Sequence, residues 1–170
     1  MRRHALALIT VALAVLPAGT AAQPRDLWTT VNVCNTPSQA NKMGVRGHMP
    51  GDGTRGKMYM RFTAQFRDTD GTWKNVGGNG RSSWIYAGSS LFTHQEAGFT
   101  FSFDPPQAGD RFVFRGVTDF EWKARRHRHG KVRMVVVEHE RLVTVAGHPS
   151  SASDPAGFSA ATCEIAGPAA

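Results

Sequence analysis

Met58, Met60, Phe62, Ala64 and Phe66 alternate with Tyr59, Arg61, Thr63, Gln65 and Arg67, and that period of two commits the middle of the chain to a half-buried β-strand. One face of such a strand must be covered; the other is mostly polar and tolerates water. Asp68-Thr69-Asp70-Gly71 then turns the chain, with Gly71 free to take positive φ, and residues 72–76 return as a hairpin partner. Further strands are predicted over 27–34, around Phe99, Phe101 and Phe103 up to Pro105-Pro106, and from Phe112 to Trp122. The phase of this last segment slips near Gly116, which predicts a bulge there. Residues 131–146 are strongly β-branched, and 156–165 supply a final strand.

Eight or nine strands at short spacing, broken by Gly, Pro, Asn and Asp with no helical period beyond the leader, predict an all-β chain. The expected architecture is an antiparallel, immunoglobulin-like β-sandwich. A closed or orthogonal β-barrel is the alternative.

The N-terminus is of a different kind. Residues 1–22 open on Arg2 and Arg3, run apolar from Ala5 to Leu16 and close on Pro17-Ala18-Gly19-Thr20-Ala21-Ala22. That order of basic start, short apolar middle and small residues marks a secretory signal peptide. The 12-residue apolar run falls short of the roughly 20 that a bilayer span requires. No second hydrophobic stretch follows, so a secreted, extracellular product without a membrane span is expected. Residues 23–170 then form one domain of 148 residues. Its two cysteines, Cys34 and Cys163, stand near its two ends, and in an exported chain with an even count they are expected to pair. In the chain-entropy model, closing a loop of 129 residues contributes about 5 kcal/mol.

The run Phe114-Arg115-Gly116-Val117, then Phe120-Glu121-Trp122, Arg141-Leu142-Val143-Thr144 and Ser159-Ala160-Ala161-Thr162-Cys163 resembles small secreted proteins of high-GC Gram-positive bacteria. The resemblance covers most of the mature chain. It implies a secreted β-sandwich and carries over no catalytic residue.

Without the leader, 18 basic residues face 13 acidic ones, a net charge of +5 that favours anionic surroundings. The basic excess concentrates in residues 123–133. Lys123, Arg125, Arg126, Arg128, Lys131 and Arg133 occur there with His127 and His129 and no acid. His129-Gly130 suggests a hairpin turn between two strong strands, so the segment should project. A projecting basic tip can grip oxyanions with bidentate guanidiniums. The plainer reading is a solvated loop whose like charges prevent edge pairing. Neutralising Arg125, Arg126 and Arg128 is expected to abolish salt-sensitive binding to an anionic surface polymer or glycan while the fold survives. Sequence-specific nucleic-acid binding is not expected.

Other constellations carry less. His127 and His129 would share a face if the tip stays extended, but neighbouring cations disfavour a metal, and no metal or other cofactor is expected. Asp68-Thr69-Asp70-Gly71 lacks the distal acids of a calcium loop, and Gly77-Gly78-Asn79-Gly80 reads as a mobile loop without the helix that would make it a phosphate cradle. Glu138 and Glu140 can share one strand face. No G-x-S-x-G or H-E-x-x-H occurs, and no catalytic residue is assigned. Trp84 and Trp122 are expected in the core, while Trp73 and Tyr59, if exposed together, would suit a glycan-binding face. Two rival functions remain. One is a secreted hydrolase, which a pocket gathering His48, His94 or His148 with a carboxylate would favour. The other is a structural envelope protein that self-associates through long sheet edges. Sequence sets neither the ligand nor the oligomeric state.

Overall fold

The computed structural model describes residues 26–169, the side chain of Arg128 excepted. The expected leader, 1–22, lies outside the described residues. Nine strands follow in order: β1 (Trp28–Thr36), β2 (Gln39–Pro50), β3 (Lys57–Arg67), β4 (Trp73–Asn75), β5 (Ile85–Ser89), β6 (His94–Ser102), β7 (Arg111–Arg128), β8 (Lys131–Val143) and β9 (Cys163–Ala166). They form two antiparallel sheets packed face to face, an open β-sandwich, and the barrel alternative falls. The smaller sheet runs β1-β2-β6. The larger is built on β3 and β7, with β4 and β5 sharing the outer side of β3 and β8 and β9 sharing that of β7.

Alternation decides which side chains meet between the sheets. Met58, Met60, Phe62 and Ala64 of β3 join Phe114, Phe120 and Trp122 of β7 and face Val31, Met43, Val45, Met49 and Phe101 of the smaller sheet. Each large side chain buried here stabilises by roughly 1.5–3 kcal/mol. The sheets touch closely where glycine leaves room: a Cβ on Gly116 would lie 2.7 Å from Val45 Cγ2, and one on Gly47 3.0 Å from Met60 Sδ. Two hydrogen bonds from buried polar groups help join the sheets. Thr29 and Thr118 share a 2.7 Å hydroxyl hydrogen bond, and Trp122 donates its indole N–H to the Pro50 carbonyl at 3.0 Å.

Cys34 and Cys163 are bonded, with their Cα atoms 5.3 Å apart, and tie the first strand to the last. Several boundaries differ from expectation. The bulge lies at Trp122/Lys123, where Val137 of β8 is left over between Val136 and Glu138; β7 pairs with β3 in unbroken register past Gly116. The phase slip near Gly116 reflects close sheet packing instead. The last strand begins only at Cys163, because Ala160 forms an isolated bridge with Val31. The Gly77–Gly80 stretch is held to β3: the Ala64 amide donates to the Gly80 carbonyl at 2.8 Å, and the Val76 amide donates to the Ala64 carbonyl at 2.9 Å.

Candidate functional site

Pairing of β3 with β7 stops at Lys57 opposite Lys123. Beyond that rung β7 has only β8 beside it, so residues 124–135 form a two-stranded ribbon that reaches past the sheet. At about 3.3 Å per residue its arm is on the order of 17 Å long. His129 (φ 48°) and Gly130 (φ 73°) close it in a two-residue turn with both residues left-handed, the geometry that matches strand twist. The predicted basic tip is therefore a β-hairpin.

Register sorts its charges. Arg126 lies opposite Arg133, and Arg128 opposite Lys131. Like charges at directly opposed positions destabilise a ribbon by several tenths of a kcal/mol each. On the other face Arg125 lies opposite Met134 and His127 opposite Val132. Arg125, Arg126, Lys131 and Arg133 are exposed, and none has a carboxylate within 4.0 Å among the described residues. Lys123 differs. It sits at the root, 2.9 Å from Glu121 Oε2 and 4.5 Å from the centre of the Tyr59 ring. His129 occupies the turn, so it does not continue the strand face of His127, and the two imidazoles do not form the pair that an extended tip would give.

At the hairpin root the loop before β3 approaches the ribbon and leaves a cleft of about 430 Å³. Thr54, Arg55, Lys57, Arg125, Arg126 and Met134 line it, four cations with no acid. Sequence gave no sign of Arg55 and Lys57 here, since they lie some seventy residues from the ribbon they face.

The outer face of the larger sheet continues this surface. Asp119, 1% exposed, is ringed by Arg61 Nη2 at 3.3 Å, Arg141 Nη1 at 3.4 Å, Arg81 Nη2 at 3.5 Å and His139 Nε2 at 3.5 Å. Cations stack on the aromatic rings around it. Arg61 lies over Trp84 at 4.3 Å, Arg115 over Trp73 at 4.3 Å and Lys57 over Tyr86 at 5.7 Å. Trp122 is a core residue as expected, but Trp84 is half-buried on this outer face and does not reach the core. Trp73 and Tyr59 share the face, each half-buried beneath a cation. Burial pushes the Arg115 guanidinium below its ordinary value.

His48, His94 and His148 do come together, on the outer face of the smaller sheet. Trp28 stacks between His148 (4.2 Å) and His48 (5.0 Å), and His48 stacks on His94 (4.7 Å). His48 is buried, with Nδ1 3.2 Å from Glu96 Oε1 and Nε2 3.6 Å from Asp26 Oδ2. This is a packed column and not a concave pocket. Hydroxyls meet it at two points: Thr93 Oγ1 lies 3.3 Å from His94 Nδ1, and the His148 amide donates to Ser159 Oγ at 2.9 Å.

The Asp68–Gly71 turn is a hairpin connection. The Asp68 amide donates to the Thr72 carbonyl at 2.8 Å, and Lys74 holds the Asp68 carboxyl below its ordinary value, helped by Thr69. No family model and no curated protein matches the chain.

Proposed function

We propose that the chain is an exported binding module of immunoglobulin-like architecture that docks on anionic surface polymers through the 123–133 hairpin and the cleft at its root. The observation that carries this reading is the concentration of unpaired cations there. Among the described residues, Arg125, Arg126, Lys131 and Arg133 project without carboxylate partners, and Arg55 and Lys57 extend the charge into the cleft. A ribbon that sets Arg126 against Arg133 gives up stability in isolation and recovers it when a polyanion lies alongside. Because the contacts are ionic, binding should weaken steeply with salt.

Titration against a linear polyanion such as dextran sulfate at several salt concentrations tests the reading. Each released counterion contributes a slope of about −0.7 to −0.9 per contact in a plot of log affinity against log salt. Replacing Arg125, Arg126 and Arg133 by Ala should flatten that slope by about 2 units. An unchanged slope in a folded variant sinks the proposal.

A second reading has its own observation. β8 is an edge strand of 13 residues with Val132, Met134, Val136, Val137 and Val143 exposed. Self-association along this edge would make sedimentation concentration-dependent. The Val137 bulge and the ribbon's charges oppose it.

A further inference from the structure

Three guanidiniums converge on one carboxylate at Asp119, where one would neutralise it. Counting Arg61, Arg81 and Arg141 against Asp119 leaves two positive charges with His139 neutral. The excess is not hidden. Arg81 and Arg141 are each 50% exposed, and each uses one terminal nitrogen toward Asp119 and makes no other polar contact among the described residues. A guanidinium has five N–H donors, so most of theirs point elsewhere. Asp119 acts as the internal anchor that holds two half-exposed forks in place. Beneath them Thr63, 4% exposed, keeps a buried Oγ1 without a hydrogen-bond partner, as does the Nε of Arg61.

Two rings lie on the same outer face. Trp84 sits under Arg61, and Tyr86, 54% exposed, pairs across the sheet with Tyr59, their rings 5.4 Å apart. Oriented guanidiniums bind oxyanions bidentately, and an exposed ring beside them offers an apolar face to a pyranose. We infer that the Asp119 cluster is a binding site for an acidic saccharide. Arg81 and Arg141 take its oxyanion, and the exposed Tyr86 ring takes the sugar. The shared chemistry is an anionic oxygen group on a pyranose, whether carboxylate, sulfate ester or phosphate ester. The inference deepens the anionic-polymer reading by giving it a chemically selective site. Arg125 stands six residues from Asp119 on the same face of β7, on the order of 20 Å along the strand. One polymer chain can therefore engage both.

NMR titration of the intact domain with glucuronate, glucose 6-sulfate and glucose 6-phosphate tests this, with glucose and inorganic sulfate as the neutral and ring-free controls. The expected result is shifts confined to residues near 59–61, 81–86 and 139–141. The Arg81→Ala/Arg141→Ala pair should weaken the acidic sugars at least tenfold. The Arg125→Ala/Arg126→Ala/Arg133→Ala variant should bind them within twofold of wild type. Preference among the three acidic sugars names the oxyanion. Tyr86→Ala, at an exposed position, serves if the double variant does not fold. It should weaken the acidic sugars several-fold and leave inorganic sulfate unchanged. Shifts that map to the hairpin, or equal binding by the double variant, overturn the inference. Loss of polymer binding in the hairpin variant with sugar binding intact leaves this site standing, and the reverse pattern removes it alone.

Discussion

Replacing Asp119 by Asn should cost more stability than removing any one of the cations around it. At 3.4 Å and an effective dielectric of about 20, each Arg–Asp119 pair has a gross attraction of about 5 kcal/mol. Desolvating a carboxylate that is 1% exposed offsets much of that sum. Its cations are unequal. Arg81 and Arg141 are half in water, and for each the net loss should approach the 0–1 kcal/mol of a surface pair. Removing the anion instead leaves three converging guanidiniums with nothing between them. Breaking a buried pair costs about 3–5 kcal/mol, and the half-exposure of two partners here lowers the expectation to about 3. Urea unfolding of Asp119→Asn, Arg81→Ala and Arg141→Ala measures all three. If either Arg variant loses as much as the Asn variant, Asp119 is not the organiser of the cluster.

Two further outcomes follow from the strand-to-strand ties. Replacing both cysteines by Ala releases a loop of 129 residues and should cost up to about 5 kcal/mol in urea unfolding; a loss below about 1 kcal/mol would mean that the reduced chain is already restrained. Hydrogen bonds from Ser38 and Thr36 hold the Asp154 carboxyl below its ordinary 3.8. A depressed carboxyl stabilises the fold above its unfolded value and loses that contribution as pH falls through the folded one. Thr36→Val/Ser38→Ala should therefore be less stable than wild type at pH 7, and the gap should close below pH 3.8; a constant gap refutes this linkage.

What could be read from sequence was what repeats locally. The β3 alternation placed Met58, Met60 and Phe62 in the core without any knowledge of their neighbours. His129-Gly130 between β-branched runs marked the hairpin turn, and the cysteine positions indicated the bridge. Register was not legible. Asp119 meets Arg61 and Arg141 because three strands align at one rung, and Arg81 arrives through a bridge to Thr63. Nothing in the 61, 81, 119, 139 and 141 spacing announces that meeting. Trp84 was misassigned for the same reason: its hydrophobic area suggested the core, but its position beside Arg61 turns it outward. The His48, His94 and His148 column likewise joins two adjacent strands and a distant loop.

The most direct measurement of the docking claim is elution from an immobilised dextran sulfate column. Wild type and the Arg125→Ala/Arg126→Ala/Arg133→Ala variant are run together in a rising salt gradient. Wild type should hold well beyond about 0.15 M salt and the folded variant should leave before it. Co-elution of the two would contradict the role given to the hairpin.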